Sequence, residues 1–277
     1  MMNNNIAILI TCFNRKDKTL NCLKALYDCQ LPEYCTIDVF LVDDGCTDGT
    51  GKEVSEQFPQ VNVIKGSGNL FWNRGMHLAW ITATTQHDYD FYMWLNDDTT
   101  LNPETLQKLL LYSDTENHQS IICGATCATN DQNKITYGGW LLKETLIIPN
   151  GQIQPCDYFN GNIVLIPRHV FSVVGANDPV FSHAVGDFDY GLRARKLGVS
   201  AVVAPEVLGV CDEHETLAAW CNPKTPVLKR LKTLYTPLGC HPWQHFIFEK
   251  RHYGLLPSCF HFFTVHLRAL IPALWKK

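Results

Sequence analysis

The sequence predicts an α/β fold, a mostly parallel central sheet flanked by helices and followed by a C-terminal helical tail. Three observations carry that reading. A continuous apolar run at residues 6–10 and a mostly apolar run at 37–42, broken only by Asp38, are separated by an amphipathic stretch, which is the βαβ unit of a parallel sheet with right-handed crossovers. An aromatic and apolar run at 91–95, too short for a helix and rich in β-formers, stops at Asn96-Asp97-Asp98. The run at 37–42 also ends in a pair, Asp43-Asp44, so two strands deliver adjacent carboxylates to the carboxyl edge of a sheet, where open α/β folds bind ligands.

The chain of 277 residues is long enough for a proper core, and 46% apolar with 18% charged residues describes a globular protein. A net charge of −4 argues against a nucleic-acid partner, but the charge is unevenly placed. Residues 224–277 carry +8, with Glu249 as their single acid, leaving −12 on the rest. This divides the chain into an expected main α/β domain, 1–223, and a basic, aromatic segment, 224–277. The twelve cysteines contain no C-x-x-C pair, and several lie in apolar runs where a thiol behaves as a small hydrophobe. The first residues lack a basic and apolar leader, so the expected setting is the reducing cytosol. No apolar stretch approaches the ~20 residues of a spanning helix.

Taken in order, the strand at 6–10 runs into Thr11-Cys12-Phe13-Asn14, and an amphipathic helix over 16–29 carries Leu20, Leu23 and Leu26 on one face. After the strand at 37–42 and its acidic turn, a helix over 50–58 and a strand at 61–64 continue the alternation. Residues 66–75 form a Gly-rich loop before a helix over 76–85; Gly68, Asn69 and Arg74 are the candidates there for meeting a phosphate, with a plain surface turn as the competing reading. The strand at 91–95 leads to a helix over 104–112 capped by Asn102. Two hard carboxylates at its end, Asp97 and Asp98, suit Mg²⁺ or Mn²⁺ on a substrate's phosphates better than zinc. A solvated turn is the alternative.

Residues 121–125 read as another strand, and 129–155 as an irregular, partly antiparallel excursion. The strand at 163–167 is approached through Phe159-Asn160-Gly161-Asn162, which makes Asn160 and Asn162 candidates for lining a cleft. Asp187 and Asp189 begin a short basic helix closed by Gly198, the charge order that a helix dipole favours, so capping alone could account for Asp187. A last strand at 199–204 precedes Glu213-His214-Glu215, where a histidine can be structural or a metal ligand.

Taken together, Thr11-Cys12-Phe13-Asn14-Arg15, Asp43-Asp44-Gly45-Cys46-Thr47-Asp48-Gly49-Thr50, Asn96-Asp97-Asp98 and Asp187-Phe188-Asp189-Tyr190-Gly191-Leu192-Arg193 resemble the inverting family 2 glycosyltransferases of the GT-A fold, over residues 6–214. The resemblance implies a nucleotide-sugar donor and transfer to a hydroxyl of a glycan or lipid-linked acceptor, in bacterial surface polysaccharide synthesis. It places Thr11, Phe13 and Asp44 against the base, with Asn14 and Arg15 in the same nucleotide loop, and Asp97 near the ribose. It makes Asp98 the ligand of Mn²⁺ or Mg²⁺, with His214 completing the metal site, and Asp187 the catalytic base. Gly186 stands where the family often has Glu, which leaves Asp189 as a second acid near the acceptor. The stretch Asn69-Leu70-Phe71-Trp72 looks like that of rhamnosyl and galactofuranosyl transferases. Trp72 and Trp140 would suit a sugar's C–H face. Competing classes are a non-catalytic nucleotide-sugar-binding module and a metal-dependent phosphohydrolase.

The tail combines its charge with Trp243, Phe246, Phe260, Phe262 and Phe263, and an apolar face is expected from Phe262, Val265, Leu267, Leu270, Ile271 and Leu274. Such a segment either lies peripherally on the inner face of a membrane or packs on protein, including a second subunit.

Overall fold

The computed structural model describes residues 4–213 and 217–275 and divides the chain into two compact units. The first comprises residues 1–178 and 187–213, and the second residues 179–186 and 214–277. Sequence composition places a boundary at 223 instead, since the segment at 179–186 carries no charge signal that would assign it to the tail.

The first unit opens with β1 (Asn4–Cys12), α1 (Lys16–Tyr27), β2 (Cys35–Asp43), α2 (Thr50–Gln57), β3 (Asn62–Lys65), α3 (Phe71–Gln86), β4 (Phe91–Leu95), β5 (Thr100–Leu101), α4 (Thr105–Thr115) and β6 (Ile121–Ala128). The excursion then forms β7 (Asp131–Tyr137), β8 (Gly139–Leu141), β9 (Thr145–Leu146), β10 (Gln154–Cys156) and β11 (Tyr158–Phe159). Finally come β12 (Ile163–Pro167), α5 (Arg168–Val174), α6 (Gly186–Lys196) and β13 (Ala201–Val210). The large sheet runs β10-β13-β6-β12-β4-β1-β2-β3, and a small one runs β11-β8-β9.

β1 is central because both its faces are apolar. Ile6, Ile8 and Ile10 pack with Leu23 and Leu26 of α1 and Leu106 and Leu109 of α4, while Ala7 and Leu9 pack with Met76, Ala79, Trp80 and Ala83 of α3. Alternate residues thus enter two cores, as in a sheet covered on both sides. β1 pairs in parallel with β2 and β4, so the three strands end at one edge. β12 runs antiparallel between β4 and β6, with Ile163 opposite Leu95, which brings its approach, Asn160 to Asn162, to that same edge.

Several features differ from the sequence reading. α3 begins at Phe71, so the second half of the expected loop is helical; the Asp44 carboxylate accepts the Leu70 and Phe71 N–H groups, satisfying donors that a local cap would otherwise serve. Those bonds also hold Phe71 at φ +59°, a left-handed conformation costly for an aromatic residue. Asn102 does not cap α4, because its side chain donates to the Val207 carbonyl of β13. β13 continues through Pro205 to Val210, since register shifts between Val203 and Val207 take the proline out of the ladder. β6 extends to Ala128 by pairing with β7. Gly198, at φ +78°, closes α6 as expected, and Val199 N–H returns to the Ala194 carbonyl.

In the second unit lie α7 (Val227–Leu234), α8 (Pro242–His252) and α9 (Leu255–Leu270). Buried Arg230 donates to the Ala269 and Leu270 carbonyls, putting a cation on the C-terminal, negative end of α9. Phe248 packs edge-on against Phe181, and Gln244 accepts from Ser182. Leu256, Phe260, Phe263, Leu267 and Leu270, spaced four, three, four and three apart, form an exposed stripe on α9. Phe262 belongs instead to an aromatic cluster with Trp243 and Phe246, a correction to the expected apolar face. No helix among the described residues is long and apolar enough to cross a membrane.

Candidate active site

The carboxyl edge gathers most of the acids that the sequence singles out. Asp97 and Asp98 follow β4, and the guanidinium of Arg15 straddles them, 2.8 Å from Asp98 Oδ2 and 3.4 Å from Asp97 Oδ1. Lys18 Nζ stands 3.9 Å from Asp98 one turn further along α1. Thr19 donates to Asp97 Oδ2, and the Cys211 thiol donates to Asp98 Oδ1 at 3.7 Å. Asp97 is buried, which raises its pKa to about 7 against the opposing pull of Arg15, with Asp98 adding to the rise. The pair is therefore a carboxylate site that recruits positive charge. Its hard-oxygen donors fit Mg²⁺ or Mn²⁺, and the straddling guanidinium marks where a cation is held. Among the described residues no third histidine, cysteine or acid groups with them. His214 lies outside the described residues.

A short run of contacts joins this pair to Asp187. Trp72 Nε1 donates to Asn96 Oδ1 at 2.6 Å, Asn96 N–H donates to the Asn162 carbonyl, and the adjoining Gly161 N–H donates to Asp187 Oδ2 at 3.0 Å. Gly161 is required because a Cβ there would meet the Trp72 ring at 2.3 Å. Asp187 Oδ1 accepts its neighbour Phe188 N–H at the start of α6. The residue keeps part of its surface open, yet the protein packed around its carboxyl raises its pKa to about 6, with both amides pulling the other way. That value is poised for a general base near neutral pH.

Several expected site residues have other occupations. Asp189 is wholly buried and pairs with Arg193 at 2.9 Å, whose remaining nitrogens donate to the Val174 and Ala176 carbonyls; it cannot meet an acceptor. Asn162 is buried against Thr99 and Cys211, and acts by holding Asn96. Thr11 is buried beneath Gly75 of α3, where any Cβ would meet its hydroxyl at 2.2 Å, and that hydroxyl turns to the Val42 carbonyl. Asn160 Oδ1 accepts from Trp140 Nε1 at 2.7 Å, and the Trp140 ring stacks on Tyr158, so both order the small sheet.

Asp44 is buried and accepts three amides, from Gly68, Leu70 and Phe71, rather than leaving its oxygens open for a base. The Gly68 N–H is thereby committed to protein. Asn14, at φ +51°, accepts the Thr47 and Asp48 N–H groups at its Oδ1, tying the first loop to the second. Phe13 is 53% exposed beside that clamp and presents a free aromatic face. Asn69 is exposed, and Arg74 is half-buried in the first turn of α3. Asp44→Ala is expected to leave three amides without their acceptor, lowering the unfolding midpoint and nucleotide affinity together. Calorimetry showing weakened binding with an unchanged melting temperature would contradict that coupling.

Cys211, Lys18 and Thr19 were invisible as site residues in the sequence. Only Lys18 carried a signal, its spacing of three from Arg15 on one helix face.

The fold is that of GT-A glycosyltransferases, an α/β architecture with a mostly parallel mixed sheet flanked by helices. The family model described as Glycosyl transferase family 2 matches residues 7–172, more than half of the chain, so the protein belongs to that family. Among solved structures, TarS of S. aureus superposes with TM-score 0.56 at 14% identity, covering 90% of this chain and 43% of that one. Its 1–349 portion in complex with UDP gives 0.54 at 15% identity, covering 96% and 81%. Mannosyltransferase PcManGT from Pyrobaculum calidifontis, in complex with GDP-Man and Mn²⁺, gives 0.56 at 15% identity, covering 100% and 77%. The chain thus spans less than half the length of the full TarS chain. No protein of curated function matches the sequence significantly.

Proposed function

We propose that the protein transfers a sugar from a nucleoside diphosphate donor to a hydroxyl of a glycan or lipid-linked acceptor in one inverting displacement. The observation that carries this reading is the assembly of a cation-holding pair, Asp97-Asp98, and a base-like acid, Asp187, at one sheet edge through Asn96, Asn162 and Gly161. Asp98 would hold Mn²⁺ or Mg²⁺, which when bound supplies charge stabilisation to the departing diphosphate. Arg15 and Lys18 add fixed positive charge beside it. Phe13 offers its exposed ring to the base, and Asn14 keeps that loop in place. Asp187 Oδ1 or Oδ2 takes the proton of the acceptor hydroxyl as that oxygen attacks the anomeric carbon. No covalent sugar-enzyme intermediate is needed.

Neighbours solved with UDP and with GDP-Man and Mn²⁺ support uridine and guanosine donors as the first to test. A thermal-shift panel of nucleoside diphosphates and nucleotide sugars with Mn²⁺ identifies the donor, because a ligand that binds only the folded state raises its stability. Stabilisation by one nucleotide class is expected; no response to any of them would sink the reading. Retained anomeric configuration in the product by NMR would exclude the single displacement.

The second unit is proposed to dock on anionic lipid, which would confine enzyme and lipid-linked acceptor to one surface. Its support is the α9 stripe on a segment of charge +8. The intact chain is expected to cosediment with phosphatidylserine vesicles in low salt and to be released by high salt, and Phe260→Asp with Phe263→Asp to prevent it. Binding that survives both changes, or dimerisation through the stripe without vesicle binding, would contradict lipid docking.

A further inference from the structure

A second cluster of ligating side chains lies at the same sheet edge, apart from the carboxylate pair. Cys12 is the last residue of β1, and Cys46 follows the end of β2 by three residues. Their sulfurs are 3.9 Å apart, and with a carboxylate oxygen of Asp43 the three ligand atoms lie within 4.8 Å of one another. The positions are fixed by backbone: Cys46 N–H donates to Asp43 Oδ1 at 2.7 Å, and Asn14 N–H donates to Cys46 Sγ at 3.2 Å. Gly51 leaves room for the other Asp43 oxygen, where a Cβ would come to 2.1 Å.

Two thiolates on a tetrahedral zinc, each at ~2.3 Å, stand about 3.8 Å apart, so the observed sulfur separation already suits a shared ion. A disulfide would require the same atoms to close to ~2.05 Å. The carboxylate supplies a third ligand with small adjustment, and the half-exposed side of Cys46 leaves a fourth position for water. Thiolate donors select against the hard ions that suit Asp97 and Asp98.

We infer that Cys12, Cys46 and Asp43 form a site for a thiophilic divalent cation, Zn²⁺ in the first place, which ties the loop after β1 to the loop after β2. Binding displaces the two thiol protons to solvent, and no oxidation is involved. The site goes beyond the proposed sugar transfer and does not depend on it. Its effect would reach that chemistry only because Phe13 and Asn14 belong to the loop it secures.

The test is a Co²⁺ titration of the reduced, metal-stripped full chain, followed by absorption. One equivalent is expected to give thiolate-to-cobalt charge transfer and tetrahedral ligand-field bands, both bleached by Zn²⁺. Cys46→Ser, at a half-exposed position, should fold normally and lose the charge-transfer signal; Cys12→Ser should do the same. Asp43→Asn should weaken Co²⁺ affinity at least tenfold. Asp98→Ala should leave the spectrum intact, so failure of the sugar-transfer reading and failure of this site are separable. A spectrum unchanged in Cys46→Ser, no spectrum in the wild type, or peptide mapping that finds Cys12 and Cys46 as a disulfide inert to Co²⁺ would overturn the assignment.

Discussion

Asp98→Ala is expected to abolish the dependence of turnover on Mn²⁺ and to reduce turnover by roughly 10³-fold or more. A metal ion contributes several kcal/mol of charge stabilisation, and each ~1.4 kcal/mol is a factor of ten in rate. The loss should not reflect unfolding. Asp98 lies just beyond β4, and its carboxylate contacts Arg15, Lys18 and Cys211, so its removal breaks polar contacts and takes no apolar side chain from the core. Arg15 would keep its weaker contact with Asp97. The check is donor consumption with Mn²⁺ and with EDTA: the residual rate of the variant should be the same in both. Wild-type activity of the variant in EDTA would remove Asp98 from the site.

Asp187→Asn is expected to keep nucleotide and Mn²⁺ affinity and to lose turnover by roughly 10²- to 10⁴-fold, the range for deletion of a general base. One of its two amide contacts, from Gly161 or Phe188, must go, because an amide side chain has a single accepting oxygen. That costs about 1 kcal/mol of stability, too little to unfold a domain of this size. The pH profile carries an independent signature. Burial holds the Asp187 pKa at about 6, and the base must be ionised to act, so kcat/KM should rise with pH through 6 and level off above it. In the Asn variant that rise should vanish. A variant that turns over near the wild-type rate would leave the chemistry without a base, since Asp189 is sealed in its bond to Arg193.

Most of the sheet was legible in the sequence because buried parallel strands are written as unbroken apolar runs, as at Ile6 to Ile10 and Phe91 to Leu95. The acids at their ends were legible for the same reason, since a strand that stops at two carboxylates can place them only at its edge. Polar residues reached through tertiary contact were not. Apart from Arg193 four residues after Asp189, little local distinguishes Asp187, which accepts amides and stays partly open, from Asp189, which a helical half-turn points into the core. Asp44 could not be separated from a ligand-binding acid, because the amides it accepts come from residues 68–71, across a strand and a helix. Pro205 read as a strand stop because a bulge is a property of the pairing partner as well as of the strand.

The most direct test of a metal-assisted nucleotide-sugar site is calorimetric titration of UDP and GDP into the wild type and Asp98→Ala, each with Mn²⁺ and with EDTA, since it needs no knowledge of the acceptor. At least one nucleotide should bind the wild type in Mn²⁺, with affinity lost in EDTA and in the variant. Equal affinity in all conditions, or binding of neither nucleotide under any, would contradict the account.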